Sequence, residues 1–228
     1  MLTERSKEKE LLDLGSAYYS QNEYAHCQKM LFKINQLLGF FGNTYRLLKT
    51  FPANTSVLDI GCGGGLFILH LSQYLPTFQF IGTDISADAI TLAQQNYQEK
   101  NSHNNLSFQL QHSNTLTQNE NSMDVILSTL VCHHLTDDEL IHFLQTTLKI
   151  ARKAVIINDL HRHGLATFFY RLISPVFRNR LITHDGLISI RRGFTRKEWL
   201  LLLQKADIKH YQLKWFFPFR WRLVLWKK

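Results

Sequence analysis

Residues 57–65 read VLDIGCGGG, an apolar run that ends in an acidic residue and a cluster of glycines. The run at 57–60 predicts a buried strand, and the glycines after it predict a tight turn. Residues 66–74 are mostly apolar and predict a helix that packs back on the strand. A second apolar run, 80–83, ends in Asp84 and predicts the next strand. This order of elements constrains the chain to a parallel βαβ unit.

The glycine turn and Asp84 together predict a site for an adenosine-containing cofactor. Glycines let backbone N–H groups approach a ligand closely, and an acid about 20 residues later can accept hydrogen bonds from ribose hydroxyls. A dinucleotide site requires a small residue at the sixth position of the turn, where this chain has Leu66. The charge of Asp59 suits a cationic ligand better than a pyrophosphate. These features favour S-adenosylmethionine, which has a sulfonium, an ammonium and no phosphate.

The hD-x-G-x-G-x-G pattern resembles the class I S-adenosylmethionine-dependent methyltransferases, with Asp84 placed 23 residues after Gly61. The resemblance covers roughly residues 48–157. Residues 108–110 are similar to the family's third strand, and 123–127, which contain an early Asp, to its fourth. The sequence LVCHHL at 130–135 is similar to the family's common L-x-x-H-H-L continuation.

The resemblance implies a set of residues that contact S-adenosylmethionine. Asn114 stands where the family usually has an Asp against the adenine amine, so an amide would replace a charged contact there. The expected cofactor-binding residues are Asp59, Gly61, Cys62, Gly63, Asp84, Ile85, Ser113, Asn114 and Leu130.

The chain of 228 residues fits one α/β domain with additions. Strands alternate with helices, which predicts a doubly wound, Rossmann-like sheet. Capping boxes at Thr136 and Thr195 predict helices to Ile150 and to Ala206. Residues 208–216 and 220–226 predict a terminal hairpin. The resemblance implies seven strands, of which the last is antiparallel.

Three regions are expected along the chain. Residues 1–50 predict an N-terminal helical cap, with helices at 8–18 and from residue 23 onward. Gly39 and Gly42 are expected to break the second of these and to start another at 43–49. Residues 51–228 form the core, and 160–194 are a lid-like, apolar insertion that is expected to be helical in its first part.

Charge is divided unevenly along the chain. Residues 1–149 contain 9 Lys and Arg against 14 Asp and Glu, whereas residues 150–228 contain 17 against 4. The basic third predicts contact with something acidic, such as an anionic membrane surface, a carrier protein, a coenzyme A thioester or nucleic acid. The alternative is a solvated basic face without a partner.

Other features bear on location and metal binding. The N-terminal MLTERSKEKE is charged rather than apolar, and no apolar run approaches the roughly 18 residues that a membrane span needs. The three cysteines are scattered and indicate reduced thiols in the cytoplasm. No cysteine or histidine spacing indicates a metal site, so none is expected.

Histidines after two of the strands and one in the insertion are candidate catalytic bases, since imidazole accepts protons near neutral pH. His133 and His134 follow the fourth strand, and the alternative is that this pair only supports the turn. His161 follows the fifth strand with Asp159 available to orient it, and His184 is followed by Asp185. The Arg191 and Arg192 pair is a candidate for binding an anionic acceptor group. A base is needed only if the acceptor must lose a proton.

The acceptor class remains open on sequence grounds. The N/D-P-P-Y/F motif of enzymes that methylate nucleic-acid amines is absent after the fourth strand. The chain resembles the small-molecule branch of the family, near the ubiquinone/menaquinone methyltransferase-like group, which implies a polyketide- or quinone-like acceptor. The alternatives are a tRNA or rRNA methyltransferase that uses the basic third, and a non-catalytic subunit of a partner enzyme.

Overall fold

The computed structural model describes residues 4–100, 105–113 and 116–227. The α-helices are α1 Gln21–Leu37, α2 Phe40–Leu48, α3 Leu66–Tyr74, α4 Ala87–Glu99, α5 Asp137–Ile150, α6 Gly164–Ile173, α7 Arg180–Arg192 and α8 Arg196–Lys205. The strands are β1 Ser56–Ile60, β2 Gln79–Asp84, β3 Leu106–Leu110, β4 Met123–Thr129, β5 Ala151–Leu160, β6 Tyr211–Phe216 and β7 Arg220–Trp226.

The seven strands form one sheet in the order β3-β2-β1-β4-β5-β7-β6. Strands β1 to β5 pair in parallel, and β7 runs antiparallel between β5 and β6. This confirms the predicted Rossmann-like sheet with an antiparallel last strand. Ile60 pairs with Thr83, so the glycine turn after β1 and Asp84 at the end of β2 meet at one edge.

Helices cover both faces of the sheet. Because alternate residues of each strand point to opposite sides, each strand buries side chains on both faces. Leu58 packs into a cluster with α5 and α8, whereas Val57 packs into a second cluster with α2, α3 and α4. Both side chains are at most 1% exposed. Burial of such a side chain stabilises the fold by roughly 1.5–3 kcal/mol, so these two layers hold the loops at the sheet edge in place.

Both predicted capping boxes are present. The Thr136 hydroxyl accepts the Glu139 N–H at 3.3 Å, and Glu139 accepts the Thr136 N–H at 2.8 Å. Thr195 and Glu198 make the same reciprocal pair at the start of α8. A cap of this kind contributes about 1 kcal/mol and fixes where the helix begins.

The prediction of a helix at 8–18 is wrong: the structure has one 3-10 turn there, Leu12–Leu14. The physical reason is that side chains take the backbone donors of this segment. The Asp185 carboxylate accepts the N–H groups of Leu11 and Leu12 at 2.9 and 3.1 Å, which ties the segment to α7.

The break between α1 and α2 is placed correctly at Gly39, which has φ +80°. However, the next helix starts at Phe40 rather than at residue 43, and Gly42 lies inside it. In the insertion, α6 confirms the helix expected in the first part, and α7 shows that the second part is helical too. None of the described helices is both long and apolar enough to cross a membrane.

Candidate functional site

The turn after β1 requires glycine at several positions. Gly61, Gly63 and Gly65 have φ values of +74°, +54° and +72°, in the left-handed region that other residues rarely adopt. A Cβ on Gly61 would overlap Val131, and one on Gly65 would lie 2.7 Å from the Phe108 ring. The turn therefore requires glycine at these positions, and its backbone stays open toward the edge of the sheet.

Asp84 is fixed against this turn. Its Oδ2 accepts the backbone N–H of Gly63, and its Oδ1 accepts that of Ser86, both at 2.9 Å. Burial raises the pKa of the Asp84 carboxyl, while these backbone hydrogen bonds oppose the shift. Each oxygen keeps a further lone pair, so the carboxylate can still accept hydrogen bonds from a diol.

Asp59 at the end of β1 is 2% exposed, and its Oδ1 has no hydrogen-bond partner among the described residues. Burial, together with the charge of Asp84, raises the pKa of Asp59 well above its usual value. A buried, unpaired carboxyl is costly, and a bound cation would supply the missing partner. The two acids and the open backbone thus fit a ribose and an amino-acid ammonium, as S-adenosylmethionine presents.

A cavity of about 1180 Å³ opens from this turn. Seven of the nine expected cofactor-binding residues line it: Asp59, Gly61, Cys62, Gly63, Asp84, Ile85 and Leu130. Ser113 does not line it, although its carbonyl accepts a hydrogen bond from the lining residue Gln111 at 2.6 Å. Asn114 lies outside the described residues.

Helix α1 closes one side of the cavity. Gln28 Oε1 accepts the N–H of Gly64 at 3.4 Å, which brings α1 directly onto the glycine turn. Sequence reasoning missed Gln28 because it lies 36 residues before its partner, and no local motif marks it.

His133 lines the cavity but is only 2% exposed. Its Nδ1 lies 2.8 Å from Asp159 Oδ1, and its Nε2 lies 3.5 Å from Glu10 Oε1. Burial lowers the pKa of His133, but the charges and hydrogen bonds of Asp159 and Glu10 outweigh it and raise the pKa to about 9. His133 is therefore protonated near neutral pH and is poorly suited to accept a proton.

His134 also lines the cavity and is more accessible, with 28% of its side chain exposed. Its Nδ1 lies 2.7 Å from Asp13 Oδ1, an arrangement that fixes the orientation of the ring. Asp13 and Glu10 were missed by sequence reasoning, since both lie over 120 residues before the histidines that they contact.

The other candidates lie outside the cavity lining. His161 accepts a hydrogen bond from Trp215 Nε1 at 3.1 Å, and Asp159 pairs with His133 rather than with His161. His184 does pair with Asp185, at 2.7 Å, on the half-exposed side of α7.

Arg191 and Arg192, which were candidates for binding an anion, instead make structural contacts. Arg192 is 8% exposed and donates to the carbonyls of His133 and His134 at 3.0 and 2.7 Å, as well as to Asp13. Arg191 lies 3.8 Å from Glu8. Both side chains therefore tie the end of α7 to neighbouring segments.

One donor set in the described part of the chain has the composition of a metal site. Single ligand atoms of Glu10, His133 and His134 lie within 4.8 Å of one another. Sequence spacing did not reveal this set because Glu10 is remote in the chain. Protonated His133 has an N–H at each ring nitrogen, one toward Asp159 and one toward Glu10, so we interpret the set as a hydrogen-bonded ion-pair network.

Comparisons with known proteins agree with this geometry. Residues 57–154 match the family model described as a methyltransferase domain. The release factor glutamine methyltransferase of Streptococcus pneumoniae (strain ATCC BAA-255 / R6) is 34% identical over 82 residues, which is 36% of this chain. The matched segment spans 28% of the length of that enzyme.

Two solved structures show the same fold. A SAM-dependent methyltransferase from Aquifex aeolicus superposes with a TM-score of 0.60 at 16% identity, covering 80% of this chain and 88% of that one. Human N-acetylserotonin methyltransferase in complex with SAM superposes with a TM-score of 0.67 at 18% identity, covering 92% and 57%. Residues 57–154 therefore match a methyltransferase domain, and the chain has the fold of these S-adenosylmethionine-dependent enzymes.

Proposed function

We propose that this protein transfers a methyl group from S-adenosylmethionine to a small, largely apolar acceptor. The observation that carries the proposal is that the glycine turn, Asp59 and Asp84 open into one large cavity whose far walls are apolar. When bound, S-adenosylmethionine supplies an electrophilic methyl group on a sulfonium that is a good leaving group.

The chain's contribution is to bind and orient. Asp84 accepts hydrogen bonds from the ribose diol, and Asp59 neutralises the cationic amino-acid end. Gly61 and Gly63 let the backbone lie against the ligand, while Ile85 and Leu130 are proposed to flank it. Alignment of the reacting atoms and exclusion of water can by themselves lower the barrier by several kcal/mol.

The acceptor's chemistry is inferred from the lid. Helix α6 and the β6–β7 hairpin line the cavity with Leu165, Phe169, Ile173 and Phe219. Such walls favour an aromatic or alkyl acceptor, such as a polyketide- or quinone-like molecule, and so support membership of the small-molecule branch. We propose that residues 160–194 act as the lid over this acceptor and that residues 1–50 cap the cofactor.

If the acceptor is a hydroxyl, we propose that His134 removes its proton. Among the described residues, His133 and His134 are the histidines that line the cavity, and His134 is the more exposed. Asp13 orients its ring as a carboxylate does in a hydrogen-bonded dyad. His133 stabilises the same loop through its contacts with Asp159.

We propose further that the apolar acceptor is collected at a membrane surface. Beside the cavity, the lid exposes Phe168, Leu172 and Val176 by 61%, 69% and 77%, and the hairpin exposes Phe217 by 80%. Arg171 at the end of α6 lies on the same segment, so apolar and basic groups occur together, as in proteins that bind anionic bilayers. Sedimentation with phosphatidylglycerol vesicles, but not with phosphatidylcholine vesicles, is the expected result.

A transfer assay tests the proposal. The protein is incubated with S-adenosyl[methyl-³H]methionine and a panel of alkylated phenols and hydroquinones, and the organic phase is counted. Label in an acceptor, lost in the Asp84→Asn variant, is expected. An Asp84→Asn protein that methylates as fast as the parent would contradict the proposed cofactor site.

A further inference from the structure

Arg220, the first residue of β7, lines the cavity. It pairs with Leu160 at the end of β5, which places it at the same sheet edge as the glycine turn. Its guanidinium carbon lies 5.0 Å from the centroid of the Phe40 ring in α2. The cation thus lies against an aromatic ring of the N-terminal region, at the wall of the cavity.

The charge of Arg220 has no acidic partner in the described part of the chain, where no carboxylate lies within 4.0 Å of its nitrogens. Its Nε makes no hydrogen bond there, and its Nη1 reaches the Phe219 carbonyl only at 3.4 Å. Arg220 is partly buried, and two arginines that are more deeply buried are paired: Arg162 with Glu198 at 2.6 Å, and Arg192 with Asp13. A guanidinium that loses water without gaining a carboxylate is costly, so its retention needs another explanation.

The strand partner of Arg220 belongs to an apolar cluster. Leu160 packs there with Ala166 and Ile190, and Leu130, Tyr170 and Phe219 pack against them. Burial lowers the pKa of Arg220 to about 10, against the opposing charge of Asp159, so the side chain stays cationic at neutral pH. An anion that enters this part of the cavity meets a preformed positive charge with little competing water.

We propose that Arg220 binds an anionic group of the acceptor, a carboxylate or an ionised phenol or enol, while the lid holds an apolar remainder. A guanidinium can bind a carboxylate through two parallel hydrogen bonds, which fixes orientation as well as position. Arg220 is thus a residue that determines specificity for an amphipathic acid. This inference rests on the proposed function and narrows its acceptor class.

Arg222 provides a matched control. It lies two residues further on the same strand and is a partly buried arginine stacked on an aromatic ring, with Cζ 4.7 Å from the Phe216 centroid. However, its Nη1 donates to the Asn43 carbonyl at 3.1 Å, and it does not line the cavity. Arg222→Met therefore removes a similar charge from outside the site.

The test is calorimetric titration of protein saturated with S-adenosylhomocysteine, using 4-octylbenzoate and the neutral 4-octylbenzyl alcohol as probes. The parent is expected to prefer the carboxylate by about 10- to 100-fold, the range of a charge-assisted hydrogen bond. Arg220→Met should remove that preference while leaving the affinity for the alcohol within threefold. Arg220→Lys and Arg222→Met should both retain it.

A parent that binds both probes equally, or an Arg220→Met variant that still prefers the carboxylate, would overturn the inference. Titration with S-adenosylhomocysteine alone tests cofactor binding, so it distinguishes the absence of an anion site from failure of the proposed function. Unchanged nucleoside binding in Arg220→Met also shows that the variant is folded. If the parent does not bind S-adenosylhomocysteine but still prefers the carboxylate probe, the proposed function is contradicted and the anion site is supported.

Discussion

Asp159 binds His133 through both of its carboxylate oxygens. Oδ1 lies 2.8 Å from the imidazole Nδ1, and Oδ2 accepts the backbone N–H of His133 at 3.2 Å. The end of β5 is thereby tied to the loop that follows β4, directly beside the cavity. This pairing makes His133 a cation that supports the site and leaves His134 as the accessible histidine.

The charge of His133 predicts a pH dependence of stability. Its pKa is raised to about 9 in the folded protein from 6.5, so protonated His133 stabilises the fold fully below about pH 6.5. That contribution is lost as the pH rises through about 9. The free energy of unfolding in urea should therefore fall by on the order of 3 kcal/mol between pH 6.5 and 9.5.

Asp159→Asn should move the apparent pKa of His133 down and flatten this dependence, and NMR titration of the imidazole gives the value directly. The parent profile should be the same with and without EDTA, as expected of an ion-pair network. An imidazole that titrates near 6.5, or a profile that changes on chelation, would contradict this interpretation.

Substitution in the glycine turn should strongly weaken cofactor binding. Gly61→Ala places a methyl group against Val131 at φ +74°, a backbone conformation that costs a non-glycine residue about 1–2 kcal/mol even without the overlap. We expect affinity for S-adenosylhomocysteine to fall at least 100-fold by calorimetry.

Gly164→Ala is the matched control, because a Cβ there meets no atom within 4 Å and the residue is the first of α6. It should bind as the parent does. Equal affinity of Gly61→Ala and the parent would show that the turn does not contact the ligand.

His134→Gln should slow transfer to a hydroxyl acceptor by roughly 100-fold or more, the usual contribution of a positioned base. Affinity for S-adenosylhomocysteine should be unchanged. His184→Gln removes a histidine with a comparable carboxylate partner, Asp185, from outside the cavity lining, and should retain full turnover. Equal turnover of all three proteins would exclude His134 as the base.

The core of the fold was predictable because its signals are local. The periodicity of β1, the glycines after it and the Thr136 capping box each act over a few residues, and each element appears where it was expected. The segment at 8–18 was not predictable, since its backbone donors bind Asp185, 174 residues away from Leu11.

The part of the cavity proposed to hold the acceptor was less predictable, because its residues are distant in sequence. Glu10, Asp13 and Arg220 come from opposite ends of the chain, and nothing in their neighbours distinguishes them from surface residues. Asp159 lies two residues from His161, yet the loop after β4 brings His133 closer. Proximity in sequence therefore suggested the wrong imidazole for this carboxylate.

Asp84 is proposed to accept hydrogen bonds from the ribose of a sulfonium nucleoside. Titration calorimetry with S-adenosylhomocysteine tests it in the parent, in Asp84→Asn and in Asp88→Asn, which changes a nearby acid in the first turn of α4 outside the cavity lining. The parent and Asp88→Asn should bind alike, and Asp84→Asn should bind 10- to 100-fold more weakly, the range of a hydrogen bond to a charged group. No heat of binding in the parent, or equal affinity in Asp84→Asn, would contradict this role of Asp84.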